Sequence, residues 1–362
     1  MTAEEIWESA QRALIAGDAP ALDRLLQDYA ALFRDNRPPA YDSGGLAPNY
    51  AGADARAIIA RNHKFDSWDE ADQFFATRNL PDSPVARFEA AVDAIVRGEI
   101  KALDGLLRQD PELVRARSLR RHRATLLHYT AANGVEDFRQ KTPPNIVPIA
   151  AMLLDAGAEV DAAAKIYGDG AKTLGLAVTS IHPLRAGVIE PLADVLLAWG
   201  AAVEGWPDRS IINDCLANGR QFGAEVMARH GARIDLEGAA GLGRLDLVQQ
   251  LFDTVPDAQK TRGFAWACEY GRTPVAAYFL DHGFDITTRL PHQHGTGLHW
   301  AAYTAQVDTV KLLLDRGAPL DTRDEEFDGK ALDWAQHARK ETTDPAKREQ
   351  FDRVIKMLKG DL

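Results

Sequence analysis

Residues 296–320 read TGLHWAAYTAQVDTVKLLLDRGAPL, and this stretch decides the fold. Its first half runs from a hydroxyl residue, Thr296, through His299 to the pair Ala301–Ala302. Its second half carries the Leu313–Leu314 pair and closes on Gly317. Each part has a physical task. A threonine before a helix accepts a hydrogen bond from a backbone N–H that has no partner inside the helix. Paired alanines let a neighbouring helix approach closely. The leucines form an apolar stripe that needs covering. A glycine after the second helix takes the left-handed conformation that ends it. The whole is a helix–turn–helix unit that cannot bury its own apolar face, so it requires neighbours.

Those neighbours are present on both sides. Thr261 opens TRGFAWACEYG, followed by VAAYFLDHGFDI, and Lys330 opens KALDWAQHA, followed by a final helix to about residue 359. The spacings, 35 residues from Thr261 to Thr296 and 34 from Thr296 to Lys330, are nearly constant. Further upstream, residues 236–253 form an abbreviated unit, and Ser210, Thr173 and Thr125 open degraded copies. Gly157 ends the second helix of the Thr125 copy as Gly317 does in the clearest one. A head of the T-P-L-H-x-A type and a period near 33 residues characterise the ankyrin unit. The sequence therefore resembles the ankyrin-repeat family. Segments such as HRATLLHYTAANGVEDFRQKTPPN and YGDGAKTLGLAVTSIHP are similar to those of a group of bacterial ankyrin-repeat proteins, and the resemblance spans about residues 88–340. It implies an all-α fold: an ankyrin-repeat solenoid of stacked helix–turn–helix units with short hairpin loops, preceded by a helical N-terminal region.

The N-terminal part is less regular. Residues 1–85 are expected to hold a degenerate repeat at about 4–34, a Pro/Gly-rich linker at 35–50 and one or two helices at 53–78. Residues 86–362 are expected to form seven to eight repeats with a C-terminal capping helix.

Composition narrows the functional classes. The 362 residues are 46% apolar and 26% charged, with a net charge of −11. An acidic surface does not displace the counterions of nucleic acid, nor does it suit a polybasic membrane contact. No run of about 18 apolar residues occurs, and Met1–Glu5 is acidic without an apolar stretch behind it, so a cytoplasmic protein is expected. The two cysteines, Cys215 and Cys268, cannot supply a disulfide framework or a zinc site and are expected to be buried thiols. No cofactor is implied. Gly168–Thr173 lacks the order of a phosphate-binding loop and reads as a hairpin turn. His292, His294 and His299 fall within eight residues, but His299, like His128, occupies the head position at which ankyrin histidines bond locally between loops. No metal site is assigned.

Two features point to a partner. Tyr129, Trp266, Trp300 and Trp334 share one repeat position and read as core packing, whereas the residues after the alanine pair face the concave surface in ankyrin arrays. Here these include Asn133, Ser180, Asn218, Leu242, Glu269, Tyr270 and Tyr303, and Tyr270 and Tyr303 are expected to lie side by side. The second feature is length. The units opening at Thr125 and Thr173 start 48 residues apart, and each carries an insertion, GVEDFRQKTPPN and SIHPLRAGVIEP. Insertions repeated on one face mark a binding face. With RARSLRRHR at 115–123, they would gather Arg120, Arg121, Arg123, Arg139, Gln140, His182 and Arg185 into a patch for an acidic peptide or another anion. The competing reading pairs these arginines with acidic neighbours such as Asp110, Glu112 and Glu136. The resulting expectation is a scaffold for a protein or peptide partner, bound by that patch with Asn133, Tyr270 and Tyr303, and no catalytic residue. The alternative is an enzyme or anion binder in which His182, His128, Arg123 and Arg139 converge beside residues 167–173. No nucleophile motif supports it.

Overall fold

The computed structural model describes residues 60–61, 63–204, 210–291 and 294–360. The expected degenerate repeat at 4–34, the linker at 35–50 and His292 lie outside the described residues. The chain divides into two compact units, with the boundary between Gly205 and Trp206. The described residues are helical, and their only strand-like pairings are three isolated bridges: Arg117 with Thr125, Ala164 with Ala171 and Arg323 with Lys330. Each bridge closes the base of a hairpin loop.

In the first unit, α1 (Trp68–Arg78) starts at Ser67, whose side chain accepts from the Glu70 N–H. Helix α2 (Pro84–Arg97) starts at Ser83, which accepts from the Ala86 N–H, with proline fitting the first position because its missing N–H leaves nothing unpaired. Gly98, at φ 73°, turns the chain into α3 (Ile100–Gln109). A 3₁₀-helix over Leu126–Ala131 then pairs with α4 (Ile146–Asp155). Helices α5 (Thr173–Thr179) and α7 (Ile189–Ala198) form the next pair, and the short α6 (Ile181–Arg185) is the second insertion. Residues 63–80 pack into this unit: Phe65, Phe74 and Phe75 are buried, and α1 lies against α2.

Among its described residues, the second unit contains five consecutive pairs. They are α8 (Ile211–Ala217) with α9 (Gln221–Arg229), and α10 (Leu236–Leu242) with α11 (Leu245–Leu251). Next come α12 (Asp257–Glu269) with α13 (Thr273–Asp281), and α14 (Gly297–Tyr303) with α15 (Val307–Asp315). Helices α16 (Ala331–Glu341) and α17 (Pro345–Lys359) complete it. One core runs through the last four pairs, built on Leu236, Phe264, Phe279, Leu298, Leu313 and Phe351. Gly297 permits the close approach of α14 to α12, since a Cβ there would sit 2.7 Å from a Phe264 ring carbon and 2.9 Å from the Cys268 sulfur.

The head of the repeat behaves as its residue types require. Nδ1 of His299 accepts from the Thr296 N–H at 3.1 Å, so Nε2 carries the proton and donates to the Gly329 carbonyl at 3.2 Å. His128 repeats the arrangement with Thr125 and the Ala171 carbonyl. Gly157 and Gly317 have φ of 97° and 80°, as helix-ending glycines should. Cys215 and Cys268 are buried, and burial pushes both thiols up, away from reactivity.

Three starts differ from the sequence expectation. Thr261 lies inside α12, which begins a turn earlier behind Pro256; its hydroxyl donates to the Asp257 carbonyl instead of capping. Thr173 is the first residue of α5, and Lys172 takes the cap position. The Thr125 unit begins with a 3₁₀-helix and ends it at Ala132, φ 48°.

Candidate functional site

The arginine patch resolves into an interior and a surface. Arg120 rides on the 117–125 hairpin and Arg139 on a 3₁₀ turn over Asp137–Arg139, and both point inward, at 0% and 3% exposure. Arg120 reaches both oxygens of Glu89 on α2, at 2.5 and 2.9 Å, and its Nε lies 2.5 Å from Glu136 Oε1. Arg139 bonds Glu89 at 2.7 Å and Asp93 at 2.5 Å. Arg78 of α1 adds a 3.4 Å contact to Asp93, and the Arg120 guanidinium lies 4.4 Å from the Phe74 ring centre. Burial alone would raise the Glu136 carboxyl, but Arg120 and Arg139 hold it well below the usual carboxylate range; the same two guanidiniums lower Glu89.

The expectation that Arg120 and Arg139 line an exposed patch is therefore corrected. Two buried carboxylates neutralise them, and removing either charge would leave the others unpaired in the interior. Of the acidic neighbours named from sequence, Glu136 takes this role, while Asp110 pairs with Arg87. Glu89 could not be singled out from the sequence, because it lies 31 and 50 residues from its two arginines.

Arg121 is exposed and 3.5 Å from Asp66. Arg123 and Arg185 are exposed. Gln140 turns back to donate to the Val135 carbonyl at 3.0 Å, so the first insertion is folded down against its own unit. His182 is half-buried on α6. Asn133 is also half-buried; it donates to the Leu176 carbonyl and accepts from the Tyr167 hydroxyl at 2.9 Å. Of the four groups expected to converge in the catalytic alternative, His128 is held by Thr125 and the Ala171 carbonyl, and Arg139 by the ion cluster.

In the second unit, Glu269 ends α12 and Tyr303 ends α14, and Tyr270 and Thr304 are the residues after them. The register places Tyr303 at the repeat position of Glu269, and the Tyr270 hydroxyl donates back to the Leu216 carbonyl. Tyr303 joins Trp300 and Trp334, with ring centres 6.3 and 5.8 Å away.

Three surface residues went unnoticed in the sequence. Leu119, Tyr167 and Phe327 are 54%, 65% and 65% exposed, and each lies inside a hairpin closed by one of the three bridges. A large apolar residue within a turn, where Gly, Asn and Asp are the ordinary choice, was the available signal.

The family model for ankyrin repeats matches residues 236–324, in three copies. Residues 236–324 are ankyrin repeats. Among solved structures, the ankyrin repeat domain of human ASB11 is similar at 23% identity, over 73% of this chain and 96% of that one, with a TM-score of 0.37. No curated protein matches the sequence. Ankyrin repeats are in general protein–protein interaction modules, in which stacked units present an extended binding surface. Among the described residues, no helix is long and apolar enough to cross a membrane.

Proposed function

We propose that this protein is a scaffold that holds a protein partner on its hairpin tips and on the exposed ends of its inner helices. The observation that carries the reading is the exposure of Leu119, Tyr167 and Phe327 at hairpin tips. Turn residues have no packing reason to be large and apolar, and an exposed apolar group gains stability only when a partner covers it. Asn133, beneath Tyr167, and Tyr303 extend the candidate contact surface within their own units. Arg121, Arg123 and Arg185 stay exposed and would meet acidic groups of the partner, without Arg120 and Arg139, which the interior occupies. A soluble cytoplasmic setting suits such a scaffold.

Hydrogen exchange tests this reading. The protein captured from its native cells with a partner, and then remade from purified components, should gain protection at 117–125, 164–171 and 323–330. Protection confined to the outer helices α4, α7, α13 and α15 would contradict it.

A further inference from the structure

The second unit holds a carboxylate, that of Glu269, with no charged or side-chain partner among the described residues. Glu269 is half-buried and is the last residue of a 13-residue helix, the end at which the helix dipole is negative and a carboxylate is disfavoured. No cation or side-chain donor among the described residues reaches its carboxyl group, and burial pushes that group up to about 7. Other buried acids are treated differently. Glu89 and Glu136 are gripped by guanidiniums, Arg262 lies 2.5 Å from Glu237, and three backbone N–H groups close on Asp324. Glu269 is fixed in place all the same: its backbone carbonyl accepts from the Thr304 hydroxyl at 2.7 Å and the Gln306 amide at 3.0 Å, which holds the end of α12 against the end of α14.

An aromatic corner stands in the same row. Tyr303 occupies the repeat position of Glu269 one unit on, and Trp300 and Trp334 share the position three residues earlier in their units. The Trp300 and Tyr303 planes meet at 87°, Trp300 and Trp334 at 84°, and Tyr303 and Trp334 at 79°. No pair is stacked, and three planes at near right angles bound a corner. With ring centres 5.4 to 6.3 Å apart, one cation in that corner can lie within about 6 Å of several ring centres at once. Packing accounts for Trp334, which is buried and donates its indole N–H to Asp324 at 2.9 Å. It does not account for Trp300, whose indole N–H has no acceptor among the described residues and whose ring remains half-exposed beside Tyr303.

We propose that Glu269 and the Trp300–Tyr303–Trp334 corner receive a lysine or arginine side chain from a basic segment of the protein partner. The proposal rests on the reading of the array as a protein-binding module. It supplies the cation that Glu269 lacks, and the net charge of −11 draws such a segment in from a distance.

The test uses the intact chain and a minimal probe, the capped pentapeptide acetyl-Gly-Gly-Lys-Gly-Gly-amide, with norleucine in place of lysine as the control. Indole N–H resonances are followed by NMR. The expected result is a saturable shift of the Trp300 indole with the lysine peptide and none with the norleucine peptide. Glu269→Gln and Tyr303→Leu should each weaken binding fivefold or more, while Asp308→Asn, an exposed acid on α15, leaves it unchanged. Thermal midpoints equal to wild type or higher would confirm that the variants are folded. The absence of a saturable shift, an equal shift with norleucine, or undiminished binding by Glu269→Gln would overturn the assignment. A captured partner that binds wild type and Glu269→Gln equally would overturn this site and leave the scaffold reading standing.

Discussion

The Arg120 guanidinium meets both oxygens of the Glu89 carboxylate, and neither side chain has measurable contact with water beyond 2%. This pairing fastens the 117–125 hairpin to α2, and Arg139 fastens the first insertion to the same carboxylate. A stretch that looks in sequence like a basic surface thus works as a clamp inside the first unit.

Breaking the clamp from one side should be costly. Glu89→Gln leaves Arg120 and Arg139 short of a counter-charge in the interior and should lower stability by about 3–5 kcal/mol. Removing both charges, as in Glu89→Leu with Arg120→Met, should recover part of that loss. Urea unfolding of the two variants, followed by circular dichroism, gives the comparison.

Acid should weaken the fold before carboxylates titrate. Burial lowers the His128 pKa to about 4, below the ordinary 6.5. The folded protein then binds fewer protons than the unfolded chain between those values. This contribution to stability is complete above about pH 6.5 and is lost as pH falls towards 4, a change of about 3 kcal/mol. Stability measured at pH 7 and pH 5 should fall less in His128→Gln than in wild type.

Glu269 has the opposite sign. Its raised pKa, about 7, means that the folded state holds a proton more tightly than the unfolded one. Its contribution is present at low pH and is lost as pH rises through 7. Glu269→Gln should therefore be more stable than wild type at pH 8, by about 1–3 kcal/mol after allowance for partial exposure, and no more stable at pH 4. Thermal melts at the two pH values decide it.

Gly297→Ala places a methyl against Phe264 and Cys268 at less than van der Waals distance. The expected cost is about 1–3 kcal/mol from forced displacement of α14 relative to α12, read from the thermal midpoint.

What could be read from the sequence was local. Thr296, Gly317 and Nδ1 of His299 act within a few residues, so the repeat grammar showed where helices begin and end, and the Nε2 bond of His299 to Gly329, 30 residues on, follows the repeat period itself. Thr261 misled because Pro256 and Asp257, four or five residues earlier, start the helix first. The fate of Arg120 and Arg139 depended on Glu89, which lies on a different helix pair and leaves no local mark. Trp300 and Trp334 were read as core from their shared repeat position, and only their angles to Tyr303 reveal a corner. The exposed Leu119, Tyr167 and Phe327 were visible as residues, but their exposure is a property of the folded hairpins.

The central claim is that the hairpin tips hold a protein partner, and a dissociation constant tests it most directly. The partner captured from native cells is purified, and its affinity is measured for wild type and for the combined Leu119→Ser, Tyr167→Ser, Phe327→Ser variant. Exposed tips can lose their apolar groups without loss of core, so the variant should keep the wild-type thermal midpoint and bind at least tenfold more weakly. An unchanged dissociation constant in a folded variant would contradict the account.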